Sequence, residues 1–470
     1  MPDNTRTERD SMGEMKVPAD AYYGASTQRA VLNFPISGRR FTRPFIRVLG
    51  LIKMAAARVN TDLGLLDQKI AQAIEQAARE VADGKLDDQF VIDIFQTGSG
   101  TSTNMNANEV IANRASEIMA GDRTSKLVHP NDHVNLCQSS NDVIPTAIHV
   151  SALVELEKEL VPALEHLQAA LEAKSREFWG VIKTGRTHLQ DATPVRLGQE
   201  FLGYAGQVQR GVRRTRHAAE ELCEVALGGT AVGTGVNTHP EFASRVSAVL
   251  SQELGVTVHE TDNHFQAQNT LDGVLEASGA LRAIAISLQK IADDIRWLGS
   301  GPRAGLGEIA LPAVQPGSSI MPGKVNPVIA ESLLQAVAQV VGNDAAVLVA
   351  AQGSHFELNM MFPVAAHNLL DSIALLTASA RNFADQCVRG IEATDHGPAM
   401  VERGLMLGTA LAPAVGYDLA AEIAKEAAKS GRTIREVARE KTQLSEDELT
   451  RLLDAENMTE PGLGGGPASG

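Results

Sequence analysis

Apolar residues recur every three to four positions along most of the chain, and this spacing predicts long helices. The clearest stripe runs from residue 271 to 298 and consists of Val274, Ala277, Leu281, Ile284, Leu288, Ile291, Ile295 and Leu298. A 3.5-residue period sustained in this way is typical of helices that lie nearly parallel in a bundle. Residues 328–351 and 363–388 have similar faces. Helices of this length predict a bundle that also packs against other subunits.

Shorter periodic stretches predict helices over residues 46–63, 68–83 and 153–171, and Pro162 predicts a kink in the last of them. Polar breaks separate these helices. We expect one helix to begin near Asn106, one to open at Pro145, and one to begin with Thr193 as the N-cap and Pro194 as the first helical residue. Short helices are predicted over 417–429, 433–441 and 445–453, before a disordered tail from Met458.

These elements suggest a mainly α chain with three domains. Residues 1–138 form a mixed, mostly helical domain, residues 139–393 a central domain of long helices, and residues 394–470 a small helical domain with the tail. Composition agrees, because aromatic residues make up only 4% of the 470 residues while hydrophobic residues make up 44%. That balance favours close-packed helices over an aromatic-rich β-sandwich.

The most polar of the breaks is residues 317–327, Gly-Ser-Ser-Ile-Met-Pro-Gly-Lys-Val-Asn-Pro. Its glycines and prolines predict an irregular loop that opens and closes as a unit. Ser318, Ser319, Lys324 and Asn326 provide hydroxyls, an ammonium and an amide that suit a bound anion. A plain connector between helices is the alternative reading of the same composition.

Two more breaks carry hydrogen-bond donors. Ser99, Gly100 and Thr101 form a hydroxyl-rich turn before a helix, which suits a carboxylate, although N-capping explains these residues equally well. Ser139, Ser140 and Asn141 offer neutral donors to a small ligand, or else a capping cluster. The glycine-rich residues 228–237 lack a phosphate-loop pattern and predict a tight turn near the site.

The loop at 317–327 resembles the mobile active-site loop of the fumarase/aspartase superfamily, GSSxMPxKxNP. Within that superfamily, the Gly-Lys-Val-Asn-Pro ending and the stretch Gly-Arg-Thr-His-Leu-Gln-Asp-Ala around His188 resemble class II fumarases. Aspartases typically carry Gln at the position of His188 and Ala at that of Gly323. The resemblance covers about residues 8–440 and is weakest towards the C-terminus. It reverses the ordinary interpretation of a lone loop histidine as structural.

The resemblance implies a three-domain fold with a long central five-helix bundle. Four subunits are expected to form a homotetramer with a 20-helix core and D2 symmetry. Each active site is then built from three different subunits. Polar breaks scattered far apart between apolar helices fit that arrangement.

The resemblance also implies a fumarate hydratase that interconverts fumarate and L-malate. Ser318 is then the base, and His188, paired with Glu331, faces the other side of the substrate. The substrate-binding residues implied are Ser99, Gly100, Thr101, Ser139, Ser140, Asn141, Thr187, Ser319, Lys324, Val325 and Asn326. A second, outer dicarboxylate site is implied at His129, Pro130, Asn131 and Asp132.

Charge and cysteine content limit the partners. The formal net charge of −15 disfavours nucleic acid, and it requires local attraction for an anionic substrate, which screening beyond ~8 Å permits. Iron–sulfur hydratases of an unrelated type also dehydrate malate. However, Cys137, Cys223 and Cys387 lie far apart and are better read as buried thiols. We expect neither a metal nor an organic cofactor.

The polar N-terminal stretch lacks the apolar core of a secretory signal, and no apolar run approaches the ~20 residues that span a bilayer. A cytoplasmic protein without a membrane partner is expected. Two other functions remain as alternatives: an aspartate ammonia-lyase, and a non-catalytic structural protein such as the lens crystallins of this superfamily.

Overall fold

A computed structural model of the chain describes residues 4–122 and 125–462. Its helices are α1 (Ala25–Asn33), α2 (Arg43–Asp62), α3 (Gln68–Ala82), α4 (Thr101–Ala120), α5 (Ser140–Glu155), α6 (Val161–Glu177), α7 (Leu197–Leu222), α8 (Phe242–Leu254), α9 (His264–Ala267), α10 (Asp272–Leu298), α11 (Val328–Ala351), α12 (Phe362–Gln386), α13 (His396–Val401), α14 (Ala412–Val415), α15 (Tyr417–Ser430), α16 (Ile434–Lys441) and α17 (Glu446–Leu452). The predicted mainly α fold is confirmed.

The strands are short and pair two by two. They are β1 (Thr5–Asp10), β2 (Gly13–Pro18), β3 (Ile182–Thr187), β4 (Gln190–Arg196), β5 (Glu224–Val225), β6 (His259–Glu260), β7 (Ile309–Ala310), β8 (Ser354–His355), β9 (Leu358–Asn359) and β10 (Glu392–Ala393). Strand β1 pairs with β2, β3 with β4, β7 with β10 and β8 with β9, all antiparallel, while β5 pairs with β6 in parallel. The sequence pattern predicted none of these strands.

The periodic stretches fold as predicted. Helices α2, α3, α10, α11 and α12 match the predicted ranges closely, and so do α15, α16 and α17. Every residue of the predicted stripe on α10 is at most 5% exposed. The leucine face predicted over 153–171 is likewise buried. Its helix is interrupted by a π turn at Leu156–Leu160, directly before α6 and Pro162. Proline clashes with the carbonyl four residues earlier, and the wider turn accommodates it.

Three predicted helix starts are wrong, and local capping explains two of them. Helix α4 begins at Thr101, because Gly100, with φ 72°, ends the preceding turn there. Helix α5 begins at Ser140, because Ser139 and Asp142 form a capping box, so Pro145 lies inside the helix. Pro194, which was expected to begin a helix, instead lies in strand β4 opposite Thr184, and α7 begins at Leu197.

The described chain forms two compact units. The first comprises residues 1–162, 212–285 and 336–377, and the second residues 163–211, 286–335 and 378–470, apart from the residues outside the described ranges. Helix α2 is the centre of the first unit and contacts α3, α5 and α8. The three-domain boundaries that we predicted stay a prediction.

The end of the chain belongs to the second unit. Helices α15, α16 and α17 pack around a core that includes Leu411, Ile423 and Val437. Residues Asn457–Thr459 form a 3₁₀ turn, and the carbonyl of Thr459 accepts a hydrogen bond from the Gln199 side chain at 2.8 Å. The predicted disordered tail is therefore wrong for its first residues, and residues 463–470 lie outside the described part.

Helix α11 is unusually apolar for its burial. Among the described residues, it is the one helix long and apolar enough to cross a membrane by length and composition, yet only 39% of its most apolar window is buried. Val341, Leu348 and Val349 on this helix are between 38% and 58% exposed. The core helix of a soluble protein passes the same composition test, and this helix leaves part of its apolar surface exposed.

A buried carboxylate holds the start of helix α1. Glu109 on α4 accepts hydrogen bonds from the backbone N–H groups of Gly24, Ser26 and Thr27, and from the Thr27 hydroxyl, at 2.6–3.1 Å. The carboxylate thus satisfies donors that a helix N-terminus leaves without intrahelical partners.

We expect Glu109→Gln to lower the free energy of unfolding by about 2–3 kcal/mol, because hydrogen bonds to a buried charge are lost. Chemical denaturation measures the change. The control is Glu241→Gln, which removes an exposed helix-surface ion pair with Arg245 and should cost under about 0.5 kcal/mol. Equal effects of the two substitutions would contradict this account of Glu109.

Candidate active site

The turn before helix α4 brings the first group of predicted residues together. The hydroxyl of Ser99 lies 2.7 Å from that of Thr101, which in turn lies 2.7 Å from the hydroxyl of Ser140. Gly98 makes this turn possible. A Cβ at Gly98 would lie 1.9 Å from the Met360 carbonyl oxygen. The structure therefore joins two predicted segments, residues 99–101 and 139–141, into one cluster of hydroxyls.

A side chain that the sequence analysis missed supports this turn. The side-chain oxygen of Gln96 accepts a hydrogen bond from the backbone N–H of Thr103 at 3.0 Å, within the first turn of α4. Its amide nitrogen donates to the Thr103 hydroxyl and to the Asp93 carbonyl, both at 2.8 Å. Gln96 therefore acts as a cap from outside the helix, which no local pattern predicts.

The second segment is fixed by Asp142, which the sequence analysis also missed. Its carboxylate accepts hydrogen bonds from the backbone N–H groups of Ser139, Gly228 and Thr230 at 2.9–3.0 Å. Burial raises the pKa of Asp142, while these three N–H donors and Lys53 act in the opposite direction. The Ser-x-x-Asp spacing of a capping box was the signal that could have identified it.

The glycine-rich residues 228–237 include a stretch that contacts the start of helix α5. The Asn141 side-chain amide donates to the carbonyl of Ala231 at 2.8 Å. Together with Asp142, this contact ties residues 228–231 to the start of helix α5. Ser139 acts as the N-cap of α5, as the capping alternative for this cluster predicted.

Thr187 and His188 lie at the tip of the hairpin formed by β3 and β4. His188 and Leu189 have φ of 55° and 58°, and Thr187 pairs with Gln190 across this two-residue loop. Left-handed backbone at both central positions is typical of a type I′ turn, where Asn-Gly is preferred. The side chains of Thr187 and His188 are exposed. The hairpin therefore presents His188 to solvent on a conformation that is costly for a residue with a Cβ.

Buried ion pairs hold the base of this hairpin. Lys183 is 1% exposed, and its Nζ lies 2.9 Å from Glu200 and 3.1 Å from Glu308. Arg186 pairs with the same Glu308 at 2.5 Å. Burial raises the pKa of Glu200, and Lys183 opposes the shift. These contacts hold the base of the hairpin in place within the second unit.

The loop at 317–327 is irregular, as predicted. The Gly317 N–H donates to the Lys324 carbonyl at 2.8 Å, and the Asn326 side-chain amide donates to the Gly317 carbonyl at 2.7 Å. A Cβ at Gly317 would lie 2.4 Å from the Lys324 oxygen, so only glycine allows this closure. The base of the loop is therefore tied to itself.

Within the loop, backbone donors are directed at a serine. The Ser318 hydroxyl oxygen accepts hydrogen bonds from the N–H groups of Ile320 and Met321 at 3.3 and 3.1 Å. Ser318 is half-buried, whereas Ser319 and Lys324 are exposed. Two N–H donors on one oxygen favour a negative charge there.

The second unit contains a cavity of about 650 Å³ beside the loop. The cavity is lined by Lys324, Val325, Asn326 and Glu331, together with residues of the stretch 299–311. No motif predicted that this stretch lines a cavity, although the glycines at 299, 301, 305 and 307 mark irregular backbone. Within the described ranges, neither a hydrogen bond nor an ion pair joins Glu331 to His188, the pair that the resemblance implies.

The predicted outer-site residues lie together on a surface turn. His129 caps the π turn Pro130–Val134, and its Nδ1 accepts a hydrogen bond from the Asp132 N–H at 3.0 Å. Asn131 and Asp132 are exposed, and the nearby His133 was not predicted.

Of the three cysteines, Cys137 and Cys387 are buried and Cys223 is half-buried.

Comparison with known protein families gives two matches. A family model described as lyase matches residues 13–342, and one described as the fumarase C C-terminus matches residues 407–460. The second match covers the region in which the sequence resemblance was weakest.

Individual relatives match over nearly the whole chain. The class II fumarate hydratase of Halobacterium salinarum is 57% identical over 98% of this chain and 99% of its own. The mitochondrial fumarate hydratase of Saccharomyces cerevisiae is 51% identical over 97% of this chain and 94% of its own. A crystal structure of recombinant class II fumarase from Schistosoma mansoni has a TM-score of 0.95 and 41% identity, covering 97% of this chain and 99% of its own.

A crystal structure of fumarate lyase:delta crystallin from Brucella melitensis bound to cobalt has a TM-score of 0.93 and 48% identity. It covers 97% of this chain and all of its own.

We expect Gly98→Ala to lower the free energy of unfolding by about 2–4 kcal/mol, because the added Cβ meets backbone that cannot rotate away. The substitution should also break the hydrogen bond from the Phe362 N–H to the Gly98 carbonyl. Denaturant unfolding checks this, with Gly180→Ala as control, since a Cβ there meets nothing within 4 Å. A stable Gly98→Ala protein would show that the turn is less constrained than the contact implies.

Proposed function

Because the chain belongs to the class II fumarate hydratase family, we propose that it is a hydro-lyase, EC 4.2.1.2, that interconverts L-malate and fumarate plus water. The observation that carries the proposal is the Ser318 hydroxyl, which accepts two backbone N–H groups inside a loop whose Lys324 and Asn326 face a cavity. The reaction fits the citric acid cycle.

The proposed reaction begins with the removal of a proton from the carbon next to a carboxylate. Ser318 is the proposed base. A serine hydroxyl is a weak base unless its alkoxide is stabilised, and the N–H groups of Ile320 and Met321 provide that stabilisation. Loss of the proton moves negative charge onto the neighbouring carboxylate, which gives an aci-carboxylate intermediate.

Lys324 and Asn326 are the proposed donors to that intermediate. They accelerate the reaction only if they bind the aci-carboxylate more strongly than malate. The ammonium of Lys324 is exposed on the cavity lining. One N–H of the Asn326 side chain holds the Gly317 carbonyl, and an amide has a second N–H for the substrate.

Neutral hydrogen-bond donors are the proposed substrate-positioning groups. Those of the first unit are Ser99, Gly100, Thr101, Ser139, Ser140 and Asn141. Those of the second unit are Thr187, Ser319 and Val325. Hydroxyls and amides orient a carboxylate without forming a fixed ion pair, so the product can leave. His129, Pro130, Asn131 and Asp132 remain a proposed outer site.

Departure of hydroxide requires a proton donor or an activated water on the opposite side of the substrate. His188 is the proposed group, with Glu331 orienting its ring. His188 is exposed on the hairpin tip and Glu331 lines the cavity, so each is available to a partner subunit.

We therefore propose a homotetramer in which three subunits contribute to each site. The exposed apolar side chains of α11 support burial against other copies of the chain. The proposed chemistry assigns no step to a metal or an organic cofactor. A cytoplasmic location is also a proposal, since the yeast relative is mitochondrial by name.

Purified protein is expected to convert L-malate to fumarate in the presence of EDTA, followed by the ultraviolet absorbance of fumarate. Ser318→Ala should lower kcat by about 10²- to 10⁴-fold, the range that a positioned general base provides. Ser430→Ala, on an exposed helix end, is the control and should retain full activity. Turnover of L-aspartate instead would favour the ammonia-lyase, and an intact but inactive tetramer would favour a structural protein.

Shared sites predict complementation between inactive subunits. His188→Asn and Ser318→Ala chains, co-expressed with different tags and purified as mixed tetramers, should recover roughly a quarter of wild-type activity if the two residues come from different subunits. Sedimentation verifies the tetramer. Preparations of each variant alone serve as controls, and mixed tetramers no more active than these would place both residues in one subunit.

A further inference from the structure

A lysine lies buried in the middle of helix α2. Lys53 is 0% exposed, and its neighbours in sequence, Ile52 and Met54, are buried as well. A buried amine without hydrogen-bond partners is strongly unfavourable, so its contacts indicate what it holds in place. The proposed mechanism does not use this residue.

The amine of Lys53 closes the turn that precedes the serine-asparagine segment. Its Nζ donates to the side-chain oxygens of Asn135 and Gln138, each at 2.9 Å. The two side chains are in turn bonded to this turn. The Asn135 amide donates to the Gln138 carbonyl, and the Gln138 amide donates to the Val134 and Leu136 carbonyls, all at 3.1 Å.

The turn needs such support because its backbone is strained. Cys137 has a φ of 64°, a left-handed conformation that residues with a Cβ rarely adopt. A second side chain of α2, Asn60, donates to the Leu136 carbonyl at 3.1 Å. Helix α2 therefore contacts this turn through two side chains, Lys53 and Asn60. The turn ends at Gln138, directly before Ser139.

The same network reaches the other half of the hydroxyl cluster. The Asn104 side-chain amide donates to the Asn135 oxygen at 3.2 Å, the oxygen that also accepts from Lys53. Asn104 lies one turn after Thr101 on α4. The hydroxyls of Thr101 and Ser140 lie 2.7 Å apart. One amine thus connects the elements that carry both hydroxyls.

We propose that Lys53 is a positioning residue that sets the spacing between Thr101 and the Ser139–Asn141 segment, and so the affinity of the site for a dicarboxylate. The inference rests on the proposed function. Lys53 touches no substrate and acts through Asn135 and Gln138.

The charge of Lys53 is not needed for this role. Burial lowers the pKa of Lys53 to about 7, and the carboxylate of Asp142 raises it. A neutral amine still has two N–H donors, the number of side-chain acceptors that Nζ contacts. Either protonation state therefore holds Asn135 and Gln138.

The test replaces Lys53 by Met, which keeps the length of the side chain and removes the amine. We expect the KM for fumarate to rise roughly ten- to a hundred-fold, because misplaced positioning groups weaken substrate binding. The affinity for succinate, a saturated dicarboxylate that cannot react, should fall in parallel by calorimetry. The melting temperature should also fall, because the side-chain oxygens of Asn135 and Gln138 lose their buried donor, so the KM and the succinate affinity of the folded variant decide the test.

Lys174→Met is the matched control. Lys174 is 8% exposed, and its Nζ donates to the Ile391 carbonyl at 2.7 Å and to the Glu177 carboxylate at 2.8 Å, so it is a second buried lysine with two hydrogen-bond acceptors. A merely structural lysine should change the melting temperature and leave the KM within about two-fold of wild type. An unchanged KM and succinate affinity in folded Lys53→Met would overturn the inference.

A second pair of variants keeps the test decisive if Lys53→Met does not fold. Gln138→Met removes the acceptor next to Ser139 and should raise the KM, whereas Gln168→Met, which removes an amide bonded to Glu172 on helix α6, should stay close to wild type. Equal KM values for the two would overturn the inference. Wild-type protein that neither turns over malate nor binds succinate would overturn the proposed function and this inference together.

Discussion

The hydroxyl cluster depends on the hydrogen bonds that the carboxylate of Asp142 accepts. This carboxylate is fully buried and accepts three backbone N–H groups, one from the start of helix α5 and two from the glycine-rich segment. Buried N–H groups without partners are costly, so the two irregular stretches have little freedom to shift. Glu109 has the same function at the start of α1. The carboxylates of Asp142 and Glu109, both on helices, thus order the polar segments between the apolar helices by accepting their backbone N–H groups.

Sequence alone predicted the long helices well and the strands not at all. The stripe on α10 is a local property of the chain, and its burial follows from its period. The hairpin of β3 and β4 depends instead on Glu308, more than a hundred residues away, which pairs with Lys183 and Arg186. No window around Thr193 and Pro194 contains that information, so local helix-start chemistry gave the wrong element.

The same division applies to the candidate site. Residues that present donors, such as Ser140 and Lys324, stand in dense polar motifs and were predicted from those motifs and their resemblance. Residues that hold the donors in place were missed. Lys53 stands within an apolar helix, and Gln96 caps a helix from outside it. Their partners are set by tertiary packing, which a single sequence does not display.

The loop at 317–327 combines a fixed base with an exposed tip, and this combination suits its chemistry. Gly317, Lys324 and Asn326 close the base through hydrogen bonds within the loop itself. Ile320 at the tip is 83% exposed. Because the donors to Ser318 also belong to the loop, the geometry around its oxygen does not depend on where the loop lies. A segment built in this way can approach a substrate as a unit while it carries Ser318, the proposed base, together with the N–H groups that donate to its oxygen.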